Sequence, residues 1–436
     1  MVIMRRPLKS MKHMSLRLLG MVLVCGLFAG AVPAQPDQAS ASAQDLYEKW
    51  RDAIFQVRII NTRTGTTSAL GSGFFISRDG SGVSNFHVVS EVVHTPDRYR
   101  AEYERADGTR GDLALVAVDV INDLAVVKSA EPVDVHFSFR ATAPRTGEHI
   151  FALGNPRDLG ATIVEGTYSG PVANSIYQRI HFTGSLNPGM SGGPTIDSRG
   201  RVVGVNVATS GNQISFLVDA NHAKALLARA PATAEDTPLK QDLRDQLFSA
   251  QDNFWQSAMS RPLDTTSLGE FSVPARFVPQ LSCWGDSSEQ DDQKYKVLSQ
   301  ECSLRDYVYL SRQHSVEAMA LRHDYYESSE LNPLAFSHLY SDSFGDVQAM
   351  FYGAREDVTG FRCRTDFVKG DGLNFRTAFC VRGLREYPGL YDALLRVATI
   401  KPGTKGLQSE FSMGAVSLDN AVAASRRFIE AIKWNP

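Results

Sequence analysis

The stretch "LNPGMSGGPTID" (residues 186–197) sets one serine, Ser191, among three glycines and ahead of Pro194. Glycines give little to packing and lose the most freedom on folding, so this many mark a backbone with a special path. A serine hydroxyl becomes a good nucleophile only when a positioned base takes its proton. The candidate base is His87, in "SNFHVVS", 104 residues upstream. An imidazole in that role needs a carboxylate on its other ring nitrogen, to fix its tautomer and stabilise the imidazolium. Asp123, in "INDLAVVKS", supplies one, and Asp119 is the rival acid nearby. The backbone N–H groups of Gly189 and Ser191 are the candidate donors to an oxyanion, which requires both to aim at one point. Together these groups describe acyl transfer through a covalent serine intermediate.

Side chains this far apart need a scaffold to unite them. From Asp45 to Ala230 the chain alternates short strand-like runs ("AIFQVRII", "GSGFFIS", "LALVAVDV", "LAVVKSA", "HIFALG", "RVVGVNVA") with Gly, Asp and Asn turns. That rhythm predicts an all-β sandwich or barrel. "SNFHVVS" reads as a strand-like segment with His87 at its end. A brief helix, "DANHAKALLARA", opens at Asp219, a good N-cap. Residues 231–238, "PATAEDTP", read as a linker, and Leu239, Leu243, Leu247, Phe254 and Ala258 recur at helical spacing. We divide the chain into a polar, disordered-looking lead-in (35–44), a first domain (45–230), a linker with an amphipathic helix (231–262) and a second α+β domain (263–436). The last closes with the helix "SLDNAVAASRRFIEAIKW".

Ser191 fits two templates. As Gly189-x-Ser191-x-Gly193 it matches the nucleophile elbow of α/β-hydrolases, where the acid and then the histidine follow the serine on a parallel sheet. The nearest downstream histidine, His222, lies in the short helix, and the upstream strands lack a βαβ rhythm. The order His87, Asp123, Ser191 belongs to the other template. Residues 53–230 resemble the trypsin-like serine endopeptidases, nearest the bacterial HtrA/Deg branch, through "GSGFFIS", "SNFHVV", "NDLAVVK" and "LNPGMSGGPTID…GRVVGVNVA" in that order. The resemblance implies an all-β domain of two six-stranded barrels, with His87, Asp123 and Ser191 as its triad. It also implies that Val207, Ala208, Thr209 and Ser210 pair with a peptide backbone, and that Ser185 floors the specificity pocket. A neutral serine there, with Val207 and Ala208 nearby, predicts cleavage after small or medium apolar residues rather than after Lys or Arg. The substrates implied are proteins or peptides; no cofactor and no metal are called for. No counterpart of that branch's usual PDZ domains is recognisable beyond residue 263. A partner-activated protein, latent in isolation, is the alternative reading.

The first 34 residues carry five basic residues and no acid, then the apolar run "LLGMVLVCGLFAGAV" and "VPA" before Gln35. This reads as a cleavable secretory signal peptide, which places the protein in the periplasm or outside the cell. An uncleaved anchor is the rival, but the run is short for a bilayer span. Without that segment the formal charge falls from −3 to −8. Nothing basic then points to nucleic acid, and no stable membrane insertion is expected once the signal is cleaved. Oligomeric state is not legible. Cys283, Cys302, Cys363 and Cys380 remain, an even count that favours two disulfides in an exported chain. Cys283 with Cys302 and Cys363 with Cys380 are the preferred pairs, since each closes a hairpin-sized loop. A zinc site is the rival, without the usual CxxC spacing.

Overall fold

The computed structural model describes residues 42–435 apart from 157–158, 212, 232–237, 289–292, 346–350, 352, 371 and 401–402. The signal segment and most of the linker therefore lie outside the described residues.

Helix α1 (Ala43–Trp50) precedes the first strand, so the lead-in expected over 35–44 ends inside a helix. Ser42 caps it: its hydroxyl accepts from Asp45 N, and the Asp45 carboxylate accepts from Ser42 N in return. Strands β1 (Ile54–Asn61), β2 (Thr66–Phe75), β3 (Ser81–Ser84), β4 (Tyr99–Arg105), β5 (Arg110–Asp119) and β6 (Leu124–Ser129) close into a barrel in the order β1-β2-β3-β6-β5-β4. Between β3 and β4 runs α2 (Phe86–His94). This corrects the strand reading of "SNFHVVS": His87 sits in the first turn of a helix. Valines usually favour strands, but here Val88, Val89 and Val93 are buried against the barrel, and that packing overrides propensity.

The second sheet holds β7 (Ser138–Phe139), β8 (His149–Gly154), β9 (Thr162–Pro171), β10 (Ile180–Phe182), β11 (Pro194–Ile196), β12 (Arg201–Thr209) and β13 (Ser215–Asp219). Six of these run β11-β8-β9-β10-β13-β12, and the β11–β12 pairing closes them into a second barrel, with β7 added parallel to β12. Phe74, Val83, Leu124, Phe151, Leu153, Ile196 and Val205 are buried together where the barrels meet. The helix expected after Asp219 forms as α3 (Ala220–Arg229), and the Asp219 carboxylate accepts from Asn221 N. The amphipathic pattern that follows becomes α4 (Leu239–Ser260).

Beyond α4, β14 (Asp264–Leu268) and β15 (Phe271–Arg276) pair, and α5 (Pro333–Gly345) and α6 (Leu418–Ala431) accompany a seven-stranded antiparallel sheet. Its strands β16 (Ser282–Ser288), β17 (Lys296–Ser303), β20 (Ala320–Glu327), β21 (Arg362–Lys369), β22 (Asn374–Gly383), β23 (Leu390–Ile400) and β24 (Lys405–Ser417) run β16-β17-β20-β24-β23-β22-β21. A separate hairpin, β18 (Val308–Ser311) and β19 (His314–Val316), leaves this sheet between β17 and β20. The two expected disulfides form, Cys283–Cys302 and Cys363–Cys380, with Cα atoms 4.0 and 3.9 Å apart. Each staples an outermost strand, β16 or β21, to its neighbour at opposite ends of the sheet, where ladder pairing is one-sided. In the chain-entropy model, loops of this size contribute about 3 kcal/mol each.

One buried cluster crosses the expected domain boundary. It joins Phe55 and Phe75 of the first barrel and Val93 of α2 to Leu243 and Leu247 of α4 and to Val308, Leu310 and Leu390 beyond. At the base of the hairpin, Leu304 N donates to a Glu317 carboxylate oxygen at 2.7 Å. Burial pushes the Glu317 carboxyl up to about 7 from its ordinary 4.5. Between those two values the unfolded chain releases its proton first, so ionisation costs stability as pH rises. Glu317→Gln keeps the acceptor and removes the proton. Urea unfolding is expected to show no difference from wild type near pH 4, and a gain of about 2 kcal/mol for the variant at pH 8.

Candidate active site

His87 is the second residue of α2, and its backbone N–H donates to Asp123 Oδ1 at 2.8 Å. The other carboxylate oxygen, Oδ2, lies 2.6 Å from His87 Nδ1. Asp123 thus caps the helix and holds the ring, in a place where the helix dipole favours negative charge. It reaches this position with φ +60°, a left-handed backbone unusual outside glycine. Asn85 holds that turn, donating from Nδ2 to the Asp123 carbonyl at 2.7 Å. The rival Asp119 is engaged elsewhere, accepting from both the backbone and the side chain of Asn122 at 2.9 Å.

Ser191 follows a tight turn. Gly189 has φ +97° and Gly192 has φ +87°. Ser72 braces this loop from the first barrel: its N–H donates to the Ser191 carbonyl at 2.8 Å and its hydroxyl to the Gly189 carbonyl at 2.6 Å. A Cβ on Gly192 would stand 2.9 Å from Asn85 N, so the serine loop packs directly against the entry to α2. The amides of Gly189 and Ser191 themselves have no acceptor among the described residues. The Ser191 hydroxyl donates to the Val207 carbonyl at 3.4 Å and makes no hydrogen bond to the imidazole. Catalytic hydrogen bonds are often long or misaligned before substrate arrives.

The same added Cβ would meet the Ser72 carbonyl oxygen at 2.2 Å and Ser84 Oγ at 2.5 Å. Gly192→Ala therefore combines a strained φ with a backbone clash. It is expected to cost about 3 kcal/mol or more in urea unfolding and to displace the serine turn.

The residues expected to meet a peptide backbone lie at the end of β12 and just past it: Val207 and Ala208 are half-buried, and Thr209 and Ser210 are exposed. Ser185, expected at a pocket floor, is exposed, while its neighbour Leu186 turns inward and donates its N–H to Ser215 Oγ. Sequence reasoning missed Asn85, Ser72 and Asn206. Asn206 is fully buried and donates from Nδ2 to the Leu153 and Met190 carbonyls at 2.9 and 3.2 Å, tying the loop to the second barrel. It also missed Tyr309, whose ring centroid stands 5.7 Å from that of His87. Nothing near Tyr309 in the sequence signals that contact.

Residues 71–205 match the family model for a trypsin-like peptidase domain. Over 172 residues the chain is 37% identical to a "Probable periplasmic serine endoprotease DegP-like" of Bartonella henselae, covering 36% of this chain and 33% of that one. It is 28% identical over 222 residues to "Serine protease HTRA1" of Xenopus laevis, covering 47% of each. A crystal structure of the serine endoprotease from Yersinia pestis aligns with a TM-score of 0.38 at 23% identity, covering 43% of this chain and 66% of that one. The chain spans between a third and a half of the length of these curated relatives.

Proposed function

Taking as premise that residues 71–205 are a trypsin-like peptidase domain with HtrA and DegP serine proteases as relatives, we propose that this protein is a serine endopeptidase. His87 takes the Ser191 proton as the hydroxyl attacks the peptide carbonyl, then returns it to the leaving amine. Asp123 holds the imidazole in the required tautomer. The amides of Gly189 and Ser191 receive the oxyanion, and water then releases the acyl group. The observation that carries this reading is the pair of hydrogen bonds that the Asp123 carboxylate accepts from His87, set beside the Ser191 turn. The half-buried Val207 and Ala208 support a preference for small or medium apolar residues before the cleaved bond; the exposed Ser185 lends it nothing. A peptide-library profile dominated by Arg or Lys overturns that preference. The basic and apolar start of the chain and the two disulfides support export to the periplasm or beyond.

A latent form is the second reading, favoured by the Ser191 hydroxyl, which is turned to the Val207 carbonyl rather than the imidazole. A fluorophosphonate probe separates the two. Labelling of the isolated protein, lost in Ser191→Ala, supports the active peptidase; labelling only after an unfolded protein substrate is added supports latency. No labelling in either case removes the peptidase reading.

A further inference from the structure

The face of α2 that bears His87 is covered by the hairpin β18–β19, more than 200 residues further along the chain. His87, Ser90, Glu91 and His94 share one face of the helix, at i, i+3, i+4 and i+7. Each meets the hairpin. The Tyr309 ring stands edge-on to the His87 imidazole, with centroids 5.7 Å apart and planes at 61°, and 6.3 Å from Phe86. Its hydroxyl lies on the Ser90 side, and Ser90 Oγ donates to the His87 carbonyl at 3.3 Å. Arg312 lies 3.6 Å from the Glu91 carboxylate and donates to the Ser68 carbonyl at 3.2 Å. His94 Nε2 donates to the Leu310 carbonyl at 2.7 Å. The acid side is braced as well. Asp306, just before the hairpin, accepts from Ile176 N at 2.6 Å, and Arg179 of that same loop donates to the Asn122 carbonyl at 2.9 Å, one residue from Asp123. From α4, Gln246 accepts from Val120 N at 2.9 Å. Docked in this way, the hairpin leaves the His87 side chain 27% exposed and that of Asp123 9% exposed.

We propose that Tyr309 is a positioning residue for His87: its ring fixes the plane of the imidazole and keeps water from the His87–Asp123 hydrogen bond, so the barrels depend on the docked hairpin for competence. This rests on the peptidase reading of the same site. Tyr309 touches no reacting atom; it acts through the imidazole. Small misplacements of a catalytic base are costly, on the order of a hundredfold for about 1 Å. Binding of substrate along β12, on the second barrel, is left alone.

The test uses the full chain with Tyr309→Ala, Tyr309→Phe and Arg312→Ala. Three readouts are taken: kcat and KM on a short peptide, melting temperature, and the far-downfield proton resonance of the His87 Nδ1–H bond to Asp123. Tyr309→Ala is expected to lower kcat roughly tenfold to a hundredfold, with KM unchanged and the proton resonance broadened by exchange with water. Tyr309→Phe restores most of both. Arg312→Ala, which loosens the hairpin at its tip, moves both in the same direction by less. The proposal is overturned if Tyr309→Ala keeps wild-type kcat and resonance. It is equally overturned if kcat falls only in step with melting temperature while the resonance is intact, since that is a merely structural role. Failure of the peptidase reading shows separately, as an unlabelled and inert wild type; the resonance then decides the positioning claim by itself.

Discussion

Ser191→Ala is expected to reduce kcat on any cleaved peptide by about a million-fold, to the level of background hydrolysis assisted by binding and the two backbone amides. The size follows from what is lost. No covalent intermediate forms, and the aligned His87 has no hydroxyl to deprotonate. Stability should hardly change, because the hydroxyl's one hydrogen bond among the described residues is the long 3.4 Å contact to the Val207 carbonyl. The loop is held instead by backbone groups that alanine keeps, the Ser191 carbonyl on Ser72 N and the Gly192 amide on the Asn206 carbonyl. Active-site titration with a fluorophosphonate, paired with a thermal melt, checks both halves. A variant that retains even a thousandth of wild-type turnover would show that another group attacks the carbonyl, and the acyl-enzyme route would have to be given up.

Much of this site can be read in the chain before any fold is known, and the reason is chemical. A nucleophile, a base and an acid must each be one of a few residue types, and the turns that hold them leave local marks. "GMSGG" announces the positive φ of Gly189 and Gly192, and "NDLAVV" places Asp123 ahead of an apolar strand. The cysteine spacing announces two hairpin staples for a similar reason: each pair closes a short antiparallel turn. What escapes is whatever depends on tertiary context. "FHVVSEVVH" has the valine content of a strand, yet it is helical because its valines fill the barrel and Asp123, 36 residues on, caps its second amide. The Ser42–Asp45 capping box that starts α1 is a local signal, set in a stretch whose polar composition reads as a lead-in. Ser72 and Asn206 look like ordinary strand polar residues until the loop they grip is in view. Tyr309 illustrates the limit: only the fold brings the hairpin to the histidine helix, and no local pattern encodes that contact.

Asp123→Asn is expected to lower kcat by about ten-thousandfold at neutral pH while the protein still folds. The geometry gives the reason an isosteric change is expected to be so damaging. One carboxylate oxygen already accepts the His87 backbone N–H at 2.8 Å, so an asparagine must keep its carbonyl oxygen there to satisfy that buried donor. Its amide nitrogen then falls on the other side, facing His87 Nδ1, where Oδ2 now lies at 2.6 Å. An NH2 group in that place needs an acceptor, which drives the imidazole proton from Nδ1 to Nε2. The nitrogen that should take the serine proton would then be a donor, and the base is disabled with its geometry intact. Fluorophosphonate labelling of Ser191 is expected to slow by a similar factor, since it uses the same proton transfer, while KM for a short peptide and the melting temperature stay close to wild type. Asp123→Ala separates tautomer from cap: it loses the catalytic effect and also the carboxylate on the first turn of α2, so its melting temperature falls where that of the asparagine variant does not. An asparagine variant that keeps more than about a tenth of wild-type kcat, against the loss expected from a wrong tautomer, would show that Asp123 does not set the protonation of His87.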